Sequence, residues 1–536
     1  MKIAICQINS IVGSCKVNTQ NILNFYKRSI ILKPDIVVFP ELCILGYPPL
    51  DLLFEKKIID MNILCLSQIA KESTIPIIVG YVRKDSNQYL YNSAAVCFDG
   101  KVQDSYDKVL LPEYDVFDET RYFKSGESAK IVEIPIKNSI SKIGLQICED
   151  LWDDKYDYKV TSEQWNHGAE IFINISSSPF CIGKMNERIQ IIKQKIKMFN
   201  KPFIYCNMVG GQDELIFDGS SLAFDRDGEI IAASRSFIEE TIIVDYSKNI
   251  NKFSIRKQSE EEQLYKALCL GVKDYFQKTG HEDALIGLSG GIDSALVSCI
   301  AAESLGSSKV HTISLPSKYS SDHSIEDAQS LADNLNIDHK IIRINEVINT
   351  MEDTLDFLFK NTESGVAEEN IQARVRGNIL MALSNKFNWL LLSTGNKTEM
   401  ALGYCTLYGD MCGGLSVISD VNKLRVYKLA NWINKVYPNR IPENIISKPP
   451  SAELAPNQVD PFDYNIVSPI VDTFVENRSS IEDVIKTNAD TKLSKLIYNR
   501  IKRMEYKRRQ SPIGFRVSKK AFGLGRRVPI VNHFEG

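Results

Sequence analysis

The chain lacks several features that would indicate a secreted, membrane-bound or nucleic-acid-binding protein. Its 536 residues carry a formal net charge of −3, so no overall basic field favours nucleic acid. No apolar run approaches the roughly 20 residues of a membrane-spanning helix. The first residues, Met1–Asn9, have neither the long apolar region nor the cleavage site of a signal peptide. The twelve cysteines are scattered, without the short framework of a secreted domain, so we expect a cytoplasmic protein.

The hydrophobic pattern divides the chain into two halves. Over residues 1–246, strand-like runs are separated by helix-like segments at about 18–31, 51–73 and 184–199, which predicts an α/β domain. The polar segment 247–259 is predicted to be a linker. Over residues 260–536, strands and helices alternate regularly, which predicts a doubly wound parallel sheet.

A glycine-rich hexapeptide, Ser289–Ser294 (SGGIDS), separates a short apolar strand from a helical pattern that begins at Ala295. Adjacent glycines, two hydroxyls and a helix N-terminus together form a nest for a phosphate group. No Gly-Lys-Ser/Thr follows, so the loop is not a Walker motif. Because the carboxylate of Asp293 would repel phosphates, the pattern predicts Mg²⁺ between Asp293 and a polyphosphate. A plain strand-to-helix turn is the simpler alternative.

The hexapeptide resembles the pyrophosphatase loop of the ATP pyrophosphatases. That resemblance implies that ATP is cleaved between its α and β phosphates. A carboxyl or carbonyl group is then adenylated, and a nitrogen nucleophile attacks it.

Three pieces of the first half carry a second possible chemistry. Glu41 follows a buried strand, Lys108 precedes an apolar turn, and Cys148 follows another strand. We expect a cysteine at a strand end to be accessible, and a neighbouring lysine to favour its thiolate. The carboxylate can take the thiol proton, and the lysine can stabilise an oxyanion. Singly, each residue is also typical of a buried thiol, a helix cap or a surface charge.

In the order Glu, Lys, Cys, these residues resemble the nitrilase and carbon–nitrogen hydrolase superfamily over residues 1–246. The resemblance implies a four-layer α-β-β-α sandwich. It also implies that Glu41 is the general base, Lys108 the transition-state stabiliser and Cys148 the nucleophile. Glu113 and Glu119 both follow Lys108, and Glu119 is matched to the supporting second glutamate of the superfamily.

Taken together, the two halves resemble the family of glutamine-dependent NAD⁺ synthetases over essentially the whole chain. Further matching stretches are Val209–Gly219, Glu368–Gly377, Ser393–Glu399, Tyr408–Asp410, Lys448–Leu454 and Glu505–Gln510. The resemblance implies that glutamine, ATP, deamido-NAD⁺ and water give glutamate, AMP, pyrophosphate and NAD⁺, the final step of NAD⁺ biosynthesis. It also implies a homo-oligomer with dimerising synthetase domains.

The same resemblance assigns ligand-binding residues. For glutamine they are Tyr114, Ser178 and Lys184. For ATP they are Gly287, Leu288, Ser289, Gly290, Gly291, Ile292, Asp293, Ser294 and Thr394. For Mg²⁺ they are Asp293 and Glu399, and for deamido-NAD⁺ they are Asn370, Glu399 and Lys507. Lys423 and Ser451 match polar positions near the phosphates.

Two alternatives remain at this stage. A tRNA-modifying ATP pyrophosphatase would carry Cys-x-x-Cys pairs, and the sequence has none. A stand-alone amidase whose second half only senses nucleotide would not need the intact loop at 289–294.

The basic stretch 500–527 is typical either of a solvated cationic face or of a surface that meets an anionic dinucleotide. Its aromatic residues are not interleaved with the basic residues as a nucleic-acid stacking surface would need.

Overall fold

The chain forms two compact units, Met1–Gln258 and Ser259–Gly536. The structure is a computed structural model that describes residues 1–136, 139–247, 252–455, 458–487 and 490–534. Within these ranges, no helix combines the length and apolar character that crossing a membrane requires.

Unit 1 contains fourteen strands and four α-helices among its described residues. The strands are β1 (Lys2–Gln7), β2 (Ile36–Val38), β3 (Ile77–Lys84), β4 (Leu90–Phe98), β5 (Lys101–Asp107), β6 (Val132–Ile136), β7 (Ser139–Ile147), β8 (Ile171–Ser176), β9 (Phe203–Asn207), β10 (Val209–Gln212), β11 (Leu215–Asp218), β12 (Leu222–Phe224), β13 (Ile230–Ala233) and β14 (Glu240–Asp245). The helices are α1 (Cys15–Ile30), α2 (Lys56–Glu72), α3 (Val160–Asn166) and α4 (Lys184–Phe199).

Two six-stranded sheets form the middle of unit 1, in the orders β14-β1-β2-β3-β4-β5 and β13-β12-β9-β8-β7-β6. Successive side chains of a strand point to opposite faces. Ile3 and Ile5 therefore join Ile143 in the core between the sheets. Ala4 instead packs with Ile22 of α1 in an outer core. A third core covers the second sheet and includes residues of α4. The predicted four-layer α-β-β-α sandwich is confirmed.

Unit 2 contains five strands and twelve α-helices among its described residues. The strands are β15 (Ala284–Gly287), β16 (Val310–Ser314), β17 (Asp338–Ile341), β18 (Leu390–Ser393) and β19 (Leu415–Ser416). The helices are α5 (Glu260–Thr279), α6 (Ile292–Leu305), α7 (Asp322–Leu335), α8 (Asn345–Phe359), α9 (Val366–Phe387), α10 (Lys397–Leu402), α11 (Lys423–Val436), α12 (Glu443–Ser447), α13 (Tyr464–Val475), α14 (Ile481–Thr487), α15 (Thr491–Arg503) and α16 (Glu505–Arg508).

The sheet of unit 2 has the order β17-β16-β15-β18-β19, and all neighbouring strands are parallel. The predicted doubly wound parallel sheet is confirmed. The strand order reverses between β15 and β18, and ligands of such sheets bind beyond the carboxyl ends of the strands at this switch point. The hexapeptide follows β15, and Thr394 follows β18.

Several element boundaries differ from the sequence-based prediction. Helix α6 begins at Ile292, after Gly291 as its N-cap, so the prediction of a start at Ala295 is wrong. The helix predicted at 51–73 is divided into a 3₁₀ turn, Leu50–Phe54, and α2. Of the predicted linker 247–259, residues 248–251 lie outside the described residues. Within unit 1, the backbone N–H of Phe253 donates to the carbonyl of Ile230 at 2.8 Å.

Two candidate active sites

A buried ion cluster joins two of the predicted catalytic residues of unit 1. The ammonium of Lys108 lies 2.8 Å from Glu41 Oε1 and 2.8 Å from Glu119 Oε1. The side chains of Lys108 and Glu41 are fully shielded from solvent. Burial opposes the charged form of Lys108, but the two carboxylates outweigh it and raise the pKa of its ammonium well above the usual value. Lys108 is therefore a permanent buried cation, which excludes its interpretation as a surface charge.

Hydrogen bonds fix the orientation of the Glu41 carboxylate. The side-chain amide of Asn92 donates to Oε1 at 2.7 Å, and the backbone N–H of Ser177 donates to Oε2 at 2.6 Å. The hydroxyl of Ser177 also donates to the carbonyl of Glu41 at 3.0 Å. Such bonds hold a buried carboxylate in one geometry, which a general base requires.

Glu119, and not Glu113, lies at the ammonium of Lys108. Tyr47 donates its hydroxyl to Glu119 Oε1 at 2.9 Å. Burial, opposed by Lys108, raises the pKa of Glu119. The side chain of Glu113 is exposed. Of the two glutamates matched from the sequence, the structure brings only Glu119 into the cluster.

Cys148 lies at the end of β7 but is buried, with 6% of its surface exposed. Its φ of +44° is unusual for a residue other than glycine, and such strained residues often occur at active sites. Burial, and then the charge of Glu41, raise the pKa of the thiol well above its usual value, although Lys108 opposes them. The expectation of an accessible cysteine with a favoured thiolate is wrong for this resting state, because desolvation outweighs the lysine.

Asp150 holds the strand end that carries Cys148 next to the segment that follows Lys108. Its Oδ1 accepts from the backbone N–H groups of Val109 and Leu110 at 3.2 and 3.0 Å. Its Oδ2 accepts from the N–H of Ile147 at 2.9 Å. Asp150 was not predicted from the sequence, where its only signal is its place two positions after the cysteine.

Two of the three residues matched to glutamine binding contact the segment that begins at Cys148, and the third lies next to a residue that binds Glu41. Tyr114 donates its hydroxyl to Glu149 at 3.0 and 2.9 Å from the two carboxylate oxygens. The ammonium of Lys184 lies 4.0 Å from the centroid of the Trp152 ring. Ser178 directly follows the serine that binds Glu41. The structure thus brings all three into the neighbourhood of the catalytic cluster.

Glu149 and Arg188 complete this neighbourhood, and the sequence analysis missed both. Tyr156 donates a further hydrogen bond to Glu149 Oε1 at 3.0 Å. The buried guanidinium of Arg188 donates to the hydroxyl of Ser178 at 3.2 Å and pairs with Asp218 at 2.8 Å. A carboxylate and a fixed hydroxyl are groups that can bind the ammonium and carboxylate of an amino acid.

We expect the variant Glu41→Gln to separate thiol reactivity from catalysis. Removing the carboxylate charge should lower the pKa of Cys148, so iodoacetamide should alkylate Cys148 faster than in wild type at neutral pH. Amide hydrolysis should nevertheless fall by about 10²–10⁴ if Glu41 is the general base, as the sequence predicts. Alkylation is followed by mass spectrometry, with Cys148→Ala as the background from the other cysteines. Slower alkylation in Glu41→Gln would contradict the effect assigned to Glu41.

Unit 2 contains a cavity of about 510 Å³ beyond the carboxyl ends of β15 and β18. The predicted ATP-, metal- and dinucleotide-binding residues line it, with one exception. They are Gly287, Leu288, Ser289, Gly291, Ile292, Asp293, Ser294, Asn370, Thr394, Glu399 and Lys507, together with Lys423 and Ser451. The exception is Gly290, with φ +75°, where an added Cβ would lie 2.2 Å from the carbonyl of Ser324. Glycine is required there by packing and backbone conformation, and not only by ligand approach.

Hydroxyl groups fix the conformation of the loop that precedes α6. Ser289 donates its backbone N–H to Ser294 Oγ at 3.3 Å, and Gly291 donates its N–H to Ser289 Oγ at 3.2 Å. The hydroxyl of Ser294 donates to the carbonyl of Gly291 at 3.0 Å. The loop and the first turn of α6 thus form one preorganised wall of the cavity, of the kind that binds phosphate groups.

A pair of carboxylates lies in the cavity wall around the ammonium of Lys423. That ammonium contacts Asp293 Oδ2 and lies 3.3 Å from Glu399 Oε1. Asn396 donates its side-chain amide to Asp293 Oδ1 at 3.1 Å, and its own side-chain oxygen caps the N-terminus of α10. Burial, opposed by Lys423, raises the pKa of Glu399. The pair already converges on one cation, so its chemistry fits a divalent metal.

The residues matched to the dinucleotide are held by unit 2 itself. Asn370 accepts a hydrogen bond from the Thr406 hydroxyl at 2.7 Å. Lys507 donates to the carbonyls of Gly403 and Cys405 at 2.9 and 2.6 Å. Much of the basic stretch 500–527 is not a solvated face, since Arg508 and Arg526 pair with Glu505 at 2.9 and 2.8 Å.

Comparisons with known proteins cover both units. The family models described as carbon-nitrogen hydrolase and NAD synthase match residues 2–251 and 264–511. A glutamine-dependent NAD(+) synthetase of Synechocystis sp. is 40% identical over 555 residues, which cover 99% of this chain and 99% of that protein. The protein of the same name from Thermotoga maritima is 39% identical over 100% of this chain and 99% of its own. A solved glutamine-dependent NAD⁺ synthetase from Acinetobacter baumannii, in complex with ADP, superposes with a TM-score of 0.80 at 34% identity, covering 99% of this chain and 98% of that one.

Proposed function

The chain belongs to the family of glutamine-dependent NAD⁺ synthetases, and from this premise we propose that its two candidate sites carry out the two halves of one reaction. It is an ATP-dependent carbon–nitrogen ligase that takes its nitrogen from glutamine. One half hydrolyses glutamine to glutamate and ammonia. The other adenylates the carboxylate of deamido-NAD⁺ and amidates it, giving NAD⁺, AMP and pyrophosphate. The observation that carries the assignment of the first half is the buried Glu41–Lys108–Glu119 cluster beside Cys148.

In the glutaminase half, Cys148 attacks the side-chain amide carbon of glutamine. Its thiol proton passes to Glu41, because the thiol is protonated at rest and Glu41 is the fixed carboxylate whose charge acts on it. Lys108 stabilises the oxyanion that forms. Glu41 then gives the proton to the departing nitrogen, so ammonia leaves and a thioester remains. Water, deprotonated by Glu41, hydrolyses the thioester and restores the thiol.

Glutamine itself is held by the groups around the segment after Cys148. We assign its α-ammonium to Glu149, a carboxylate that two tyrosine hydroxyls already orient. Its α-carboxylate is assigned to Lys184 and Ser178, with Arg188 holding the serine in place. Burial lowers the pKa of Lys184, opposed by Glu187, so a bound carboxylate would favour its charged form.

We expect Lys108→Met to reduce glutamate release by about 10²–10³, the usual effect of losing one oxyanion stabiliser. Synthesis from added ammonium salt should remain, because unit 2 carries that step. Lys101→Met, an exposed lysine on the strand β5 that leads to Lys108, is the matched control and should behave as wild type. Lys108→Met leaves two buried carboxylates without a cation, which can destabilise the fold. The double variant Lys108→Met/Glu119→Gln removes one of these charges and therefore tests whether a loss of activity comes from misfolding. Normal glutamate release in well-folded Lys108→Met would contradict its role.

In the synthetase half, the carboxylate of deamido-NAD⁺ attacks the α-phosphorus of ATP and pyrophosphate leaves. Ammonia then attacks the adenylated carbonyl carbon, AMP leaves with its bonding electron pair, and the nitrogen loses one proton to solvent to give the carboxamide. We assign the phosphates of ATP to the wall formed by Ser289–Ser294 and to Lys423. We assign the dinucleotide to the side of the cavity lined by Asn370 and Lys507.

We propose that Asp293 and Glu399 hold Mg²⁺, which would neutralise the negative charge of the polyphosphate when it is bound. Among the described residues, no group of three or more His, Cys, Asp and Glu side chains could hold a metal by itself. A metal at this pair therefore needs further oxygen ligands, and phosphate oxygens and water are the ligands that Mg²⁺ prefers.

We assign the glutaminase to residues 1–246, the linker to 247–259 and the synthetase to 260–536.

We also propose a homo-oligomer, supported by the exposed apolar side chains Phe357 and Leu358 on α8, which are 74% and 62% exposed. Sedimentation velocity of the whole chain measures that state. We also propose a cytoplasmic location, which the scattered cysteines of the sequence favour.

The direct test of this function is a reconstitution with the purified chain. Incubated with glutamine, ATP, Mg²⁺ and deamido-NAD⁺, it should form NAD⁺, glutamate, AMP and pyrophosphate in equal amounts. Glutamate release with no NAD⁺ at any ATP concentration would instead support a stand-alone amidase whose second unit senses nucleotide.

A further inference from the structure

Lys423 occupies the position that a metal ion would take between Asp293 and Glu399. Its side chain is 3% exposed, and its ammonium contacts one oxygen of each carboxylate. The ammonium also lies 5.3 Å from the centroid of the Tyr464 ring. The carboxylates of Asp293 and Glu399 and the ring face of Tyr464 thus hold the ammonium in place.

Each of the four carboxylate oxygens already accepts a hydrogen bond. Lys423 donates to Asp293 Oδ2 and to Glu399 Oε1. Asn396 donates its side-chain amide to Asp293 Oδ1 at 3.1 Å and its backbone N–H to Glu399 Oε2 at 3.2 Å. A metal placed between the two carboxylates would take the position of the ammonium, whereas Asn396 belongs to the cap of α10 and is fully buried.

We propose that Lys423 is a placeholder cation: it holds the two metal-binding carboxylates until a polyphosphate draws its ammonium away, so a divalent metal enters only together with nucleotide. This inference rests on the metal site proposed above. An ammonium and a divalent cation cannot share one position between two carboxylates, because like charges a few ångströms apart repel strongly. Two buried carboxylates without any cation are equally unfavourable.

The polyphosphate gives the displaced ammonium a new partner. Lys423 lines the same cavity as the Ser289–Ser294 loop, so phosphate oxygens bound there can accept from its Nζ. Metal and polyphosphate then favour each other's binding by the same factor, as thermodynamic linkage requires. Part of that factor is the usual chelation of metal by nucleotide, and the rest is the release of Lys423.

The experiment measures Mn²⁺ binding in the absence of nucleotide, by the loss of the electron paramagnetic resonance signal of free Mn²⁺. Wild type should bind weakly, and Lys423→Met should bind on the order of tenfold more tightly or more. Lys423→Arg keeps the positive charge and should bind as weakly as wild type. Lys428→Met, an exposed lysine on the same helix, is the matched control and should leave the affinity unchanged. Equal affinities of wild type and Lys423→Met would overturn the proposal.

A second measurement uses the wild-type chain and does not depend on how the variants fold. In crystals soaked with Mn²⁺ alone, the anomalous difference map should show no peak between Asp293 and Glu399. With Mn²⁺ and a non-hydrolysable ATP analogue, a peak should appear there and the Lys423 ammonium should contact phosphate. A peak with Mn²⁺ alone, or none in either soak, would overturn the proposal. NAD⁺ synthesis by the wild-type chain from ammonium salt reports the proposed function separately.

Discussion

Cys148→Ala should abolish glutamine-dependent NAD⁺ synthesis and leave synthesis from added ammonium salt nearly unchanged. In the proposed mechanism the thiol forms the covalent bond to glutamine, and losing a nucleophile that acts with its base and oxyanion stabiliser costs on the order of 10⁴ or more in rate. Free ammonia would bypass that step, because the residues proposed for adenylation line a cavity of unit 2. The measurement is NAD⁺ formation with each nitrogen source under otherwise identical conditions.

Cys97→Ala is the matched control, since this thiol is also buried in unit 1 and lies on β4, outside the Glu41–Lys108–Glu119 cluster. It should retain both activities. If well-folded Cys148→Ala lost both, glutamine hydrolysis and amidation would share one site. If it lost neither activity, Cys148 would have no role in catalysis.

Asp293→Ala should impair synthesis from both nitrogen sources, on the order of 10³ or more, because adenylation is common to them. Alanine offers no oxygen to a metal, and it also removes one of the two carboxylates that hold Lys423. Glutamate release in unit 1 should remain measurable. The assays are NAD⁺ formation with glutamine and with ammonium, and pyrophosphate release from ATP.

Asp322→Ala is the matched control for this variant. Asp322 also lies in the first turn of a helix that follows a strand of the same sheet, but its side chain is exposed. It should behave as wild type. Near-normal turnover with ammonium in Asp293→Ala would mean that the loop at 289–294 does not carry the metal.

The fold was largely predictable because most of its strands are buried on both faces and read as continuous apolar runs. Two strands, β5 and β10, lack that signal. β5 (KVQDSYD) is mostly polar and partly exposed, and its register with β4 is shifted by an irregularity. β10 (VGGQ) has two glycines, which argue against a strand in a sequence pattern.

The sequence grouped Glu41, Lys108 and Cys148 as candidate catalytic residues, but it did not predict the direction of the Cys148 pKa shift. The order Glu41, Lys108, Cys148 indicated a thiol hydrolase, but a strand end does not reveal how deeply a thiol is buried. Burial decides the direction of the Cys148 pKa, and only the packed structure contains that quantity.

Contacts between residues that are far apart in the sequence were the other feature that could not be predicted. Glu149 and Asp150 look like ordinary acidic residues after a cysteine, yet Asp150 binds backbone groups 40 and 41 residues away. Lys423 lies 130 residues from Asp293, so no local pattern links the two. Helix α6 begins before the predicted Ala295 because Gly291 provides its N-cap and Ile292 is buried. The sequence at these positions is instead typical of a polar loop.

The central claim is that glutamine's amide nitrogen becomes the amide nitrogen of NAD⁺ on this single chain. It is tested most directly with [amide-¹⁵N]glutamine, ATP, Mg²⁺ and deamido-NAD⁺, followed by mass spectrometry of the dinucleotide. We predict that the NAD⁺ formed carries one ¹⁵N in its carboxamide, and that Cys148→Ala forms labelled NAD⁺ only when ¹⁵N-ammonium is supplied instead. Unlabelled deamido-NAD⁺ recovered intact beside labelled free ammonia would contradict the claim.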